Sequence, residues 1–135
     1  MPVRVRGYTL AAAPADVLRT FSRLARTFDG VFDGVTVRRV RRGDDEVATI
    51  VLMRVEDKLA GNRTVEQRIL PGLVTGLSEG GKVTRTKVGR QQIAVAEPKG
   101  ATLVAWYRKG LVVLVLGGDE RAPVVAYSRG YVTAM

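Results

Sequence analysis

Between residues 82 and 116, four apolar-rich runs follow one another with connections of only two or three residues: Gly89-Arg90, Pro98-Lys99-Gly100 and Lys109-Gly110. A connection that short cannot carry the chain across to a parallel neighbour. It can only fold a strand back beside the previous one. The runs at 82–88, 91–97, 101–108 and 111–116 are therefore expected to form an antiparallel meander. The run at 111–116 is apolar on both faces, as suits a central strand covered twice or a strand at a subunit interface.

The first half reads differently. Val3 and Val5 alternate with Arg4 and Arg6, which predicts a strand over 3–10. Pro14 suits the first turn of a helix over 14–28, with Val17, Leu18, Phe21, Leu24, Ala25 and Phe28 on one face. Asp33-Gly34 is expected as a turn before a strand at 35–40. Arg41-Arg42-Gly43-Asp44-Asp45 reads as a hairpin connection, and 47–55, apolar on both faces, as a central return strand. A loop is expected at 57–62. Thr64-x-x-Gln67 has the form of a capping box for a helix over 64–79, with Val65, Ile69, Leu73 and Leu77 on one face and a break at Pro71. A last helix is expected over 120–133, weakened by Gly130. The order β-α-β-β-α-β-β-β-β-α, with no linker or repeat, predicts a single α+β domain over 1–135. It has an antiparallel sheet of about six or seven strands packed with two or three helices.

Composition narrows the chemistry. There are no cysteines, which excludes disulfides, zinc–thiolate sites and thiol catalysis. There are no histidines, which excludes Ser-His-Asp chemistry, imidazole acid–base catalysis and the common zinc sites. No cofactor is implied. Asp44-Asp45-Glu46 lacks the alternating ligand spacing of a calcium loop. Adjacent carboxylates such as Glu56-Asp57 diverge on an extended chain. Gly117-Gly118-Asp119 has no phosphate-loop spacing. No run approaches the roughly 20 apolar residues of a spanning helix. Residues 1–10 lack an apolar leader core, so a cytoplasmic location is expected if Met1 is the native start, and an extracytoplasmic one if the domain was cut from a secreted or anchored protein.

The net charge is +9, and 17 of the 22 basic residues are arginine, so the surface is expected to attract anions. Two stretches concentrate the charge. Arg38, Arg39, Arg41 and Arg42 crowd a hairpin tip, followed at once by acids able to neutralise them. Lys82, Arg85, Lys87 and Arg90 follow one another with no acid between Glu79 and Glu97. Either could contact phosphates or acidic partners, or simply blunt a sheet edge. Aromatic residues make up 6% of the chain, too few for the interleaved stacking platforms of most nucleic-acid binders. Trp106 and Tyr107 are adjacent on a strand and point to opposite faces, so one is expected in the core and the other to be able to anchor a partner.

The second half also carries a pattern: a helix ending in Gly80-Gly81, a strand reaching Val88-Gly89-Arg90-Gln91-Gln92, a Pro-Lys-Gly turn, a strand ending in Trp106-Tyr107, and an apolar strand running into Gly-Gly-Asp and a short helix. Over about residues 64–134 this resembles the Mog1/PsbP-like α/β sandwich domains and small actinobacterial extracytoplasmic lipoprotein or sensor domains. The resemblance implies a binding or assembly role rather than catalysis, and carries over no site residues. The expected function is thus a non-catalytic binding module with a protein partner or self-association. The alternatives are a basic nucleic-acid-associated protein, and an enzyme or small-molecule carrier with a pocket between sheet and helices. One observation separates the first two: whether the two basic stretches share a continuous face.

Overall fold

The computed structural model describes residues 2–59, 61 and 63–135. The meander forms as its turns require: β4 (Val83–Val88), β5 (Gln91–Ala96), β6 (Thr102–Arg108) and β7 (Leu111–Gly117) pair antiparallel in sequence order. Lys109 (φ 47°) and Gly110 (φ 84°) both take the left-handed conformation, the two-residue turn that matches strand twist. The first half contributes β1 (Thr9–Ala12), β2 (Phe32–Arg42) and β3 (Asp45–Val55), and β3 pairs with β7. The result is one antiparallel sheet of seven strands in the order β1-β2-β3-β7-β6-β5-β4, with three helices.

The centre of that order is β7, and Val112–Val115 are fully buried from both sides. This settles the doubly apolar run as a central strand. Val37, Val51, Met53, Leu103 and Leu114 face α1 (Ala15–Thr27) and α2 (Leu70–Ser78). The alternate residues Ile50, Leu52, Val104, Trp106 and Val113 face α3 (Arg121–Ala134) with Val124, Tyr127 and Tyr131. Strict alternation therefore builds two cores, one on each side of the sheet. Gly117 lets α3 come close: a Cβ there would lie 2.2 Å from Val124 Cγ2.

Several local expectations are corrected. The strand expected at 3–10 forms only at Thr9–Ala12. Gly7 turns the chain at φ 88°, with Tyr8 N–H bonded to Val5 C=O at 3.1 Å, so residues 2–8 form a strap over α3 instead of a strand. Val3 N–H donates to the Tyr131 hydroxyl at 2.9 Å, and Val5 presses on Gly130, where the lack of a Cβ makes room. Pro14 is the cap before α1, not its first residue, and Leu18 is 41% exposed rather than part of the buried face. Asp33-Gly34 is not a turn but a bulge inside β2, where the register slips between Phe32 and Gly34 and Asp33 is released to pair with Arg54. Thr64 is itself helical (φ −56°, ψ −40°), so it cannot act as the cap of a capping box.

The break at Pro71 takes the form of a change in helix type. Val65–Ile69 is a π-turn that passes directly into α2, so Pro71 lies inside a continuous helical run, and the π-turn just before it is where the helix adjusts to its missing N–H. Of the loop expected at 57–62, Asp57–Leu59 is a 3₁₀ turn, while Ala60 and Asn62 lie outside the described residues, as does Met1.

Candidate binding edge and its cleft

The two basic stretches do not form one continuous patch. β2 is one strand in from one edge of the sheet and β4 is the opposite edge, five strand steps away. At roughly 4.8 Å per step that is about 24 Å across the sheet. Antiparallel order also puts the β2–β3 turn and the β4–β5 turn at opposite ends of the strands, so the two tips occupy diagonally opposite corners.

The arginines of the first corner are engaged within the fold. Arg39 lies 4.0 Å from Glu46 and also donates to the Ala12 carbonyl at 3.0 Å. Arg41 folds back to the Asp44 carbonyl at 3.2 Å. Arg42 sits 6.0 Å over the Tyr8 ring, in cation–π range. Arg38 alternates with Val40 toward the α3 side, whereas Arg39 alternates with Val37 toward the α1 side. The four arginines are therefore split between the two faces and engaged with the chain's own carboxylates, carbonyls and ring.

The second stretch is arranged otherwise. Thr84, Arg85, Thr86 and Lys87 are all exposed, and among the described residues neither Arg85 nor Lys87 has an ion-pair partner. Arg90 occupies the turn after β4, next to Arg108 at the end of β6, so this corner gathers positive charge. Lys82 precedes the strand, and its carbonyl accepts from Glu97 N–H at 3.1 Å. That bond sets the alternation of the whole strand. Lys82 belongs to a hydrogen-bonded pair, so Thr84, Thr86 and Val88 turn their amides toward β5, while Val83, Arg85 and Lys87 turn theirs outward. Three backbone N–H groups and their carbonyls thus line an unoccupied sheet edge.

Beside this edge lies a cleft of about 70 Å³. Leu70, Pro71 and Val74 form its helical wall, Ala94 and Ala105 its floor, and Glu66, Arg85, Gln92 and Tyr107 its polar rim. It opens between α2, which packs against β6, β5 and β4, and the outer strands of the sheet. Its volume is well under the several hundred Å³ of a typical small-molecule site. A broader, open groove of about 840 Å³ runs beside the strap, lined by Arg4, Arg6, Arg38 and Tyr127. The Tyr127 hydroxyl has no hydrogen-bond partner among the described residues, and burial raises its pKa, so it stays protonated. The hydroxyl is itself out of contact with solvent, so it is not presented to the groove.

The aromatic pair divides as the alternation requires. Trp106 is fully buried against Tyr131, ring centroids 5.9 Å apart, and donates from Nε1 to Met135 Sδ at 3.4 Å. As a candidate partner contact it is therefore corrected to a core residue. Tyr107 is half-buried at the rim of the cleft. Sequence reasoning missed Glu66, Leu70, Pro71 and Val74 as cleft residues, because their helical spacing marks only a buried face. The signal that could have found the edge was the acid-free run around Arg85.

Among the described residues no group of His, Cys, Asp and Glu could hold a metal ion, and no helix is long and apolar enough to cross a membrane. No family model, curated protein or solved structure matches this chain.

Proposed function

We propose that this protein is a non-catalytic binding or assembly module that engages a protein partner by strand addition at β4. The observation that carries this reading is the outward row of Val83, Arg85 and Lys87 amides on an exposed six-residue edge strand. A partner segment laid there gains main-chain hydrogen bonds, and its side chains give selectivity. The resemblance to Mog1/PsbP-like domains implies the same kind of role. The nucleic-acid alternative loses support from the diagonal separation of the basic corners, because a phosphate track needs continuous charge. The carrier alternative calls for a pocket between sheet and helices, and it loses support because the cleft there is small, while the larger groove lies beside the strap and is open.

Arg85→Pro tests the reading, since proline removes an outward amide without touching the β4–β5 ladder. Wild-type and Arg85→Pro protein are used as baits in extracts of cells that make the protein. The module reading expects a protein retained by the wild type and lost by the variant. Identical retention profiles, or steady turnover of a small substrate, would overturn it. In a parallel anisotropy titration, DNA and RNA should bind no better than heparin and be released as salt approaches physiological strength.

A further inference from the structure

A strand laid beside β4 places its side chains in two rows. One row stands next to Val83, Arg85 and Lys87, the other next to Thr84, Thr86 and Val88. The first row meets two cations that have no ion-pair partner among the described residues. The second meets two hydroxyls and a valine. A second copy of β4 would set cations directly against cations, which destabilises a strand pair, so the edge rejects its own kind. From this charge pattern we infer that the occupant is an extended segment of another protein with carboxylates at every second position. The carboxylates face Arg85 and Lys87, and small or β-branched residues face Thr84 and Thr86. The inference rests on the reading of β4 as the docking edge and adds the chemistry of the partner.

Period matters here as much as charge. Alternating carboxylates put every acid on the cationic row, whereas the same acids in one block put some of them beside the threonines. Solvent-exposed ion pairs are individually weak, so one extra correctly placed pair amounts to about a threefold difference in affinity.

The test uses three capped seven-residue threonine peptides: one with two glutamates two residues apart, one with the two glutamates adjacent, and one with two lysines two residues apart. Each is titrated into ¹⁵N-labelled protein at physiological salt, and amide shifts and exchange rates are read residue by residue. The peptide with glutamates two residues apart is expected to bind about threefold more tightly than the one with adjacent glutamates and to slow exchange at Val83, Arg85 and Lys87. Arg85→Pro should abolish that protection, and the double variant Arg85→Glu/Lys87→Glu should transfer it to the lysine peptide. Equal affinity for the two acidic peptides, or a wild-type preference for the lysine peptide, overturns the inferred chemistry. If the lysine peptide protects the same three amides, the docking edge stands and only its charge selectivity falls. If no peptide protects β4, the edge reading and the acidic partner fall together.

Discussion

The sheet ends in two edges, and they are defended differently. β1 is four residues long, bounded by the turn at Gly7 on one side and by Pro14 on the other, and Arg39 of β2 reaches across to its last carbonyl. Its cation is spent inside the fold. β4 is six residues long, contains no proline, and carries Arg85 and Lys87 facing solvent. Brevity closes an edge against any strand, whereas charge closes it only against uncharged or cationic ones. An edge defended by charge opens when the opposite charge arrives, and that is why we propose β4 rather than β1 as the docking edge.

Proline substitutions give the largest expected contrast. Thr86→Pro removes an inward amide from the β4–β5 ladder and should cost about 3 kcal/mol or more, whereas Arg85→Pro, one residue away, should cost well under half as much. Denaturant unfolding of the two variants compares them directly. Equal losses would mean that the alternation along β4 is misassigned.

Arginine deletions come next. Arg39→Ala loses both the Ala12 and Glu46 contacts and should cost about 1 kcal/mol. Arg85→Ala should stay within about 0.5 kcal/mol of wild type, because among the described residues Arg85 has no ion-pair partner and its side chain is exposed. A large loss at Arg85 would show that the β4 cation is structural too and erase the distinction between the edges.

The strap that leads into β1 gives a smaller test. Tyr131→Phe removes the acceptor for Val3 N–H and should cost about 1 kcal/mol, while Tyr127→Phe removes a buried hydroxyl that has no partner and should leave stability unchanged or slightly higher. Burial is the first cause that raises both phenol pKa values, with the neighbouring Tyr131 and Tyr8 adding to the shift at Tyr127. A free tyrosine titrates near 10, so the folded state holds these protons more tightly than the unfolded chain. The stability they contribute is complete below pH 10 and declines as pH rises beyond it. Urea midpoints measured from pH 8 to 11 should fall at the alkaline end, and fall less steeply in Tyr127→Phe.

How much of this was legible in the sequence follows from where the signals lie. The meander was readable because two-residue turns leave an antiparallel neighbour as the only geometry, and the doubly apolar β7 could hardly be anything but buried. The segment at 3–10 misled because Val3 and Val5 alternate as in a strand, yet their burial comes from α3, a long-range contact that no local pattern encodes. Asp33-Gly34 misled for a related reason: a bulge and a turn draw on the same residue types, and only pairing with β3 distinguishes them. The basic stretches were visible as charge, but strand order decides that one is consumed by its neighbours while the other faces an empty edge. Strand order depends on β3 pairing with β7 across the chain, which alternation and turn chemistry do not specify.

The most direct test of the open edge is residue-resolved amide hydrogen exchange on the free protein. Fast exchange is expected at Val83, Arg85 and Lys87, interleaved with slow exchange at Thr84, Thr86 and Val88, with no such row of fast outward amides along a central strand such as β7. Uniform protection along β4 would mean that the edge is already covered, by this chain or by a second copy, and would contradict the account.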